Sequence, residues 1–274
     1  MKNIFKKLSI LLIFLLSITS IVFSQKSNSN NIEKELCKTS KVKSVKVMNY
    51  HLENGEKSGD GTLLFNWFYD KEGQLIESIQ FEPAVGEMKS KYKYDISGHL
   101  IETTSFIFGT PIATQLEYNV NKKGQIIKKT EGSKAWLYSY NEKGNLIEEK
   151  WYYLDENLSD KFFLDKYEYN DNGLQTKMTR YHSDKTIFFQ MTYEYDKKSN
   201  LIKQIRVADN DTTSVWENEY DNQGNLISHQ YSEGRKTTMW SKTEYDEKGL
   251  IIEEKGRLNG APNEYFREYT YEYY

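Results

Sequence analysis

The sequence predicts an all-β fold, in which tandem antiparallel β-hairpins of roughly 25 residues each form one extended, curled sheet. Three observations support this class. An eight-residue phrase, Tyr-Asx-x-x-Gly-x-Leu-Ile, recurs along the chain, and aromatic and charged residues alternate before most of its copies. The whole chain of 274 residues also contains only 3 prolines, as expected where inner strands must donate backbone hydrogen bonds.

The phrase itself predicts a β-turn between two strands, and its clearest copies are Tyr69–Ile76 and Tyr220–Ile227. An aspartate such as Asp70 opens a turn well, because its side chain accepts a hydrogen bond from the backbone two residues on. A glycine three positions later, here Gly73, tolerates the left-handed backbone that closes the turn. Together they indicate a three-residue hairpin loop, with a type I turn followed by a glycine bulge.

In this register we expect Tyr69 to face Leu75 and Phe68 to face Ile76. Three copies depart from the phrase: Val120 replaces the tyrosine, Leu174 follows Gly173 directly, so one residue is predicted to be missing there, and Ser199 stands in a glycine position. Beyond the two clearest copies, the anchors are Tyr94, Val120, Tyr140, Tyr169, Tyr195 and Tyr245.

The domain organisation is predicted in three parts. Residues 1–24 have basic residues followed by an apolar run, which is typical of a secretory signal peptide. Residues 25–40 are polar and predict a flexible lead-in. This segment holds Cys37, the sole cysteine, which we interpret as an exposed, unreactive thiol. Residues 41–274 form the repeat domain. We therefore expect an exported protein with no membrane span after signal cleavage. Its location would be the periplasm, the outer surface or the medium.

Counting in steps of two from each anchor places aromatic residues on one sheet face and charged residues on the other. The aromatic face is predicted to lie inside the curl. The isoleucines that follow each leucine fall on the charged face, which suggests that this face is also covered where the sheet curls onto itself. The terminal strands are expected to leave free edges that pair between chains.

Several functional classes are disfavoured by composition. The formal net charge is −3, or about −6 without the three signal-peptide lysines, and Lys and Glu are interspersed, so no nucleic-acid footprint is present. The four histidines are scattered and no catalytic motif is present, so we expect no enzyme and no cofactor. Asp209–Asp211 resembles the start of a calcium loop, but a plain turn is favoured and no metal site is predicted.

The phrase resembles the YD repeat of the Rhs and wall-associated protein families and of the teneurins, which reads roughly Tyr-Asp-x-x-Gly-Arg-Leu. The resemblance covers most of residues 60–274. Gln74, His99, Asn145 and Asn225 stand where that repeat has arginine. The resemblance implies hairpins joined in a spiralling sheet, a surface or exported setting, and binding of carbohydrate or a protein partner.

Candidate binding residues are the aromatics that the face count places on the charged side: Trp151, Trp240, Tyr231 and Phe68. Exposed aromatic rings stack on sugars or pack against a protein partner, whereas the competing interpretation is that they pack with the isoleucines. The predicted function is therefore a secreted or cell-surface binding and scaffold protein. The alternatives are a glycan hydrolase that uses sheet-face carboxylates and a purely structural component of the cell envelope.

Overall fold

The computed structural model describes residues 26–82, 86–155, 161–208, 213–234, 236–258 and 264–274, with side chains described from residue 33 onward. The predicted signal peptide and the predicted turn at Asp209–Asp211 lie outside the described residues.

The described chain consists of one helix followed by 18 strands. The helix, α1, spans Lys26–Thr39. Strands β1 to β9 are Val42–Glu53, Glu56–Tyr69, Leu75–Glu82, Gly86–Tyr94, Leu100–Ile107, Thr110–Val120, Ile126–Glu131, Lys134–Tyr140 and Leu146–Tyr153. Strands β10 to β18 are Phe162–Tyr169, Gln175–His182, Ile187–Tyr195, Leu201–Ala208, Thr213–Tyr220, Leu226–Glu233, Lys236–Tyr245, Ile251–Arg257 and Tyr265–Tyr273.

The 18 strands form a single closed barrel. Each strand pairs antiparallel with the next one in the chain, and β18 pairs with β1. Val45 is the seam residue that lies opposite Tyr271 on one side and Trp67 on the other. The prediction of an all-β array of antiparallel hairpins is confirmed, whereas the open, curled sheet with free terminal edges is wrong. Closure removes those edges because the first and last strands satisfy each other's backbone hydrogen bonds.

The turns between strands have the predicted geometry. Asp70 N–H donates to the Gln74 carbonyl at 2.9 Å, and Gly73 N–H donates to the Asp70 carbonyl at 3.0 Å. The Asp70 carboxylate also accepts from Gln74 N–H at 2.8 Å, and Gly73 has a φ of 76°. The same left-handed conformation recurs at Gly98, Gly124, Gly144, Gly173, Ser199, Gly224 and Gly249.

The Gly173 turn is complete, which corrects the prediction of a missing residue. Asn170 N–H donates to the Leu174 carbonyl, and Tyr169 lies opposite Gln175. Leu174 thus occupies the position that Gln74 has in the first copy, and Gln175 takes the leucine position. The turn depends on backbone hydrogen bonds rather than on the identity of the leucine, so the substitution leaves its length unchanged.

A β-bulge follows each of these turns and changes the register of the second strand. Tyr69 lies opposite Leu75 as predicted, but Phe68 lies opposite Glu77 rather than Ile76. Ile76 is the extra residue, so Ile76 and Glu77 share a face. An inserted residue reverses the alternation of every side chain beyond it. Face counts that run through a turn are therefore wrong by one residue.

The aromatic face is the inner face. In β8, Tyr138 and Tyr140 are half-buried while Leu137 and Ser139 are exposed. In β12, Tyr193 is buried between residues that are exposed. Because side chains converge on the concave side of a barrel, the less exposed face is the inner one. The isoleucines lie outside and remain uncovered, with exposures of 37–39% for Ile76, Ile127, Ile227 and Ile252.

Tyrosine hydroxyls link successive hairpins on the inner face. Tyr94 donates to the carbonyl of Leu75, the first residue of β3. The same kind of bond recurs around the barrel: a phenol donates to the first carbonyl of the strand that follows the preceding turn. The donors are Tyr118, Tyr140, Tyr169, Tyr195, Tyr245 and Tyr271, at 2.7–2.9 Å, and Tyr220, at 3.0 Å. This explains why most copies of the phrase carry a tyrosine, since phenylalanine supplies the same packing without the donor.

Helix α1 occupies the segment that was predicted to be a flexible lead-in, and it packs on the inner face near the turns. Leu36 and Cys37 contact the seam residues Val45 and Val47, together with Tyr69. The Tyr69 hydroxyl donates to the Glu33 carboxylate at 2.9 Å. Cys37 is 4% exposed, contrary to the expectation of an exposed thiol, and burial, together with the Glu33 charge, raises the pKa of its thiol to about 12.

Candidate functional site

Barrels of about 16–18 strands are wide enough to leave an open interior. Among the described residues, strands make more than incidental contact only with their neighbours in the ladder. Opposite walls of this barrel are therefore held apart. The side chains on the inner face are the residues available to a molecule that enters.

One strip of the inner face is lined with stacked rings, and we call it the aromatic wall. It consists of Trp151 on β9, Phe163 on β10, His182 on β11, and Phe188 and Phe189 on β12. Trp151 stacks on Phe163 with centroids 5.1 Å apart, and the ring of His182 is 4.8 Å from that of Phe188. Such spacings are favourable for aromatic pairs. Phe189 is buried, whereas the other four rings are partly exposed on the inner face.

A buried ion pair lies beside the aromatic wall. Arg180 donates two hydrogen bonds to Asp165, at 2.7 and 2.6 Å, and Asp165 is 1% exposed. Although burial lowers the pKa of the Arg180 guanidinium, the bonds to Asp165 outweigh this and raise it. The guanidinium therefore remains charged, and the bidentate geometry fixes its plane.

Glu149 is the cross-strand neighbour of Asp165. Burial, with a contribution from the Asp165 charge, raises the pKa of its carboxyl. The Tyr167 hydroxyl donates to Glu149 at 3.3 Å, and burial next to Glu149 raises the pKa of that phenol. The carboxyl groups of Glu149 and Asp165 thus lie side by side on the inner face.

The aromatic wall continues toward β14 through a second arginine. The guanidinium of Arg206 lies over the ring of Phe189, 4.4 Å from its centroid. Arg206 lies opposite Ser214, two residues before Trp216. Trp216 packs against Tyr231 at 5.1 Å, and its indole Nε1 is buried with no hydrogen-bond partner among the described residues.

A separate cluster surrounds Glu254 on the inner face of β17. Its carboxylate accepts hydrogen bonds from Tyr265 at 2.6 Å, Arg267 at 3.0 Å and Tyr269 at 3.1 Å. Burial beside Glu254 raises the pKa of Tyr265 and Tyr269. Because every part of this carboxylate is engaged by the wall itself, the cluster stabilises the barrel near its seam.

The four predicted binding aromatics do not form one site. Phe68 and Trp240 lie on the outer face, as predicted, opposite Glu77 and Gln230 respectively. Trp151 lies opposite Trp136, and Tyr231 lies opposite Trp216, so both are on the inner face. Their predicted placement on the charged face is wrong, because the count did not include the bulge after each turn.

The residues that sequence reasoning missed are the charged partners of the aromatic wall. Asp165 lies four residues before its anchor, Tyr169, where other copies carry Phe65, Trp136 or Met191. A carboxylate in a row that otherwise holds aromatic, apolar or serine residues is a break in the repeat. That break was the signal that the inner face is specialised at β10.

Within residues 26–274, apart from the gaps given above, no group of His, Cys, Asp and Glu is arranged to hold a metal ion. No helix in the described part of the chain has the length and apolar character needed to cross a bilayer.

No protein-family model matches this sequence, and no curated protein matches it. Among solved structures, a porin-like protein from Bacteroides uniformis is 11% identical, with 85% of this chain and 97% of that chain covered at a TM-score of 0.44. A porin-like protein from Bacteroides vulgatus is 14% identical, with 84% and 99% covered at a TM-score of 0.34. Likenesses this distant carry no inference about function.

Proposed function

We propose that this chain is an exported, non-catalytic barrel of YD-like hairpins that binds a glycan on its inner face. The aromatic wall is the observation that carries this proposal. Flat rings that expose a face next to fixed polar groups are suited to sugar rings, whose apolar faces stack while their hydroxyls form hydrogen bonds. Arg180, whose side chain is 27% exposed and lies beside the Phe163 ring, supplies such a group, and Asp165 fixes its orientation.

The outer face supports a barrel that stands in water. Lys93 pairs with Glu102 at 2.5 Å, and Lys166 with Glu148 at 3.1 Å, on the outside of the strands. Barrels that insert into a bilayer carry an apolar outward band, and an outward charge inside a strand, such as Lys166 in β10, interrupts such a band. We therefore propose a location outside the cytoplasm but in solution or attached to the envelope.

Binding of a glycan array to the purified mature chain tests the proposal, with Trp151→Ala as the site variant and Trp240→Ala as the outer-face control. We expect Trp151→Ala to weaken binding several-fold, because stacking on one ring contributes about 0.5–1.5 kcal/mol, whereas Trp240→Ala should bind like the wild type. An array that stays silent with the wild-type chain, or equal losses in both variants, would contradict an inner glycan site.

A glycan hydrolase is a second candidate, and the adjacency of Glu149 and Asp165 favours it. Two neighbouring carboxyl groups, one of which has its pKa raised by burial, are the arrangement used by retaining glycosidases. Against this, Arg180 engages both oxygens of Asp165, which leaves a poor nucleophile. Product analysis after incubation with bound glycans decides: release of reducing ends that Glu149→Gln abolishes would establish the hydrolase.

A further inference from the structure

The geometry points to an oxyanion subsite at Arg206 and Trp216, so that the ligand of the inner face is an acidic sugar, with a carboxylate or sulfate on its ring. This inference rests on the proposed glycan function and specifies the substrate class. Two inner-face arginines, Arg180 and Arg206, both lie against the ring of Phe189, but they differ in their charged partners.

Arg180 is neutralised within the wall, whereas Arg206 is not. The carboxylate of Asp165 binds Arg180 in a bidentate manner. No carboxylate of the described residues lies within ion-pairing distance of Arg206, whose cross-strand neighbours are Met191 and Ser214. Arg206 thus presents a positive charge on the inner face that the described wall itself does not compensate.

Trp216 supplies the second donor. Its side chain is 9% exposed, yet Nε1 has no acceptor within the described structure. A buried N–H without a partner costs about 1–3 kcal/mol, and an indole nitrogen can only donate. An acceptor supplied by a ligand removes that cost. Since Arg and Trp both donate only, the group that satisfies them together is an anion with more than one acceptor oxygen.

The placement of these donors continues the aromatic wall. Arg206 and Trp216 are diagonal neighbours on β13 and β14, a relation in which the Cα atoms are about 7–8 Å apart. The Tyr231 hydroxyl, which donates to Ser214 Oγ at 3.3 Å, lies on the next strand. A sugar stacked near Phe189 therefore has its ring substituents within reach of Arg206. Planar guanidinium groups bind carboxylates and sulfates in the same bidentate manner.

Calorimetric titration distinguishes an acidic from a neutral sugar on the same scaffold. The probes are a galacturonic acid trimer, its methyl ester as the matched neutral compound, a sulfated disaccharide, and inorganic sulfate as the free anion. We expect the acid to bind about tenfold more tightly than its ester, as one charge-assisted hydrogen bond predicts. The sulfated disaccharide distinguishes a sulfate from a carboxylate as the natural group.

Three variants assign the preference to the subsite. Arg206→Gln should bind acid and ester equally, and Trp216→Phe should weaken acid binding several-fold while its ring packing is retained. Arg257→Gln removes an arginine from the outer face, opposite Trp240, and should bind like the wild type. Far-UV circular dichroism and the midpoint of thermal unfolding confirm that each variant is folded.

The outcomes separate this inference from the proposed function. If acid and ester bind equally and Arg206→Gln changes neither, the anion subsite is overturned while glycan binding stands. If sulfate binds and Arg206→Gln abolishes it, but no sugar binds, the subsite stands and the glycan function is overturned. If neither sugars nor sulfate bind, both are overturned.

Discussion

The contact between helix α1 and the first turn allows a direct test of how the helix is held. Gly73 has a φ of 76°, and a Cβ placed there would lie 2.1 Å from the Lys34 carbonyl oxygen and 2.8 Å from the Lys38 nitrogen. Gly224 has a φ of 93° and nothing within 4 Å of the same position. Gly73→Ala and Gly224→Ala therefore impose similar backbone strain, but only the first displaces the helix.

The expected magnitudes follow from these two contributions. A left-handed alanine costs about 1–2 kcal/mol, which applies to both variants. Detaching α1 additionally exposes Leu36 and Cys37, and burial of an apolar side chain contributes about 1.5–3 kcal/mol. Gly73→Ala should therefore lower the free energy of unfolding by about 1.5–3 kcal/mol more than Gly224→Ala, as measured by urea denaturation.

Thiol labelling reports on the helix itself. In the wild type, Cys37 is buried and its pKa is raised to about 12, so an aromatic disulfide reagent should react slowly at pH 8. Gly73→Ala should accelerate labelling at least tenfold, since about 1.4 kcal/mol changes an opening equilibrium tenfold. Gly224→Ala should label at the wild-type rate. Equal stability losses and equal labelling rates would show that α1 does not pack against the first turn.

Three further predictions concern the turns and the inner face. Ser199 has a φ of 68°, so Ser199→Gly should leave the melting temperature unchanged or raise it, whereas Gly224→Val should lower it. Thermal shifts of the same sign and size in both variants would refute the turn assignment. Asp165→Asn leaves the Arg180 charge buried without its counterion and should destabilise by about 3–5 kcal/mol in urea, and a loss below 1 kcal/mol would show that solvent screens this pair. The raised pKa of Glu149 means that folding favours its protonated form. The stability that this proton contributes is present below the ordinary glutamate pKa and is lost as pH rises through the raised value. Glu149→Gln should therefore be more stable than wild type at pH 7, with a flatter pH dependence, and parallel stability curves for the two proteins would contradict this.

Local chemistry in the sequence was sufficient to predict the turns. Asp70 and Gly73 determine a backbone geometry by themselves, and the structure places each glycine of the phrase at positive φ. Ser199 adopts that conformation too, because the surrounding hydrogen bonds from Asp196 and Asn200 are the same as in the glycine copies. Hairpins follow from features that are close in sequence.

Closure of the barrel does not follow from such features. It depends on Val45 lying opposite Tyr271, a pairing of residues from the two ends of the chain. Neither residue carries a mark that distinguishes it from other members of the aromatic face. Helix α1 was missed for a related reason, since its polar sequence gains stability from the contacts of Leu36 and Cys37 with the wall rather than from intrinsic propensity.

The candidate site was only half visible in the sequence. Trp151 was singled out for exposure on the charged face, and it lies on the inner face because the bulge after the Gly144 turn adds one residue. The side chains that make the site specific, Asp165 and Arg180, lie on the two strands of one hairpin, and the bulge after its turn sets the register that pairs them.

Hydroxyl-radical footprinting of Trp151 and Trp240, with and without the galacturonic acid trimer, tests the central claim that ligands bind inside the barrel. We expect the trimer to slow oxidation of Trp151 while Trp240 is oxidised at an unchanged rate. Protection of Trp240 with no change at Trp151 would place the ligand on the outer face and contradict the account.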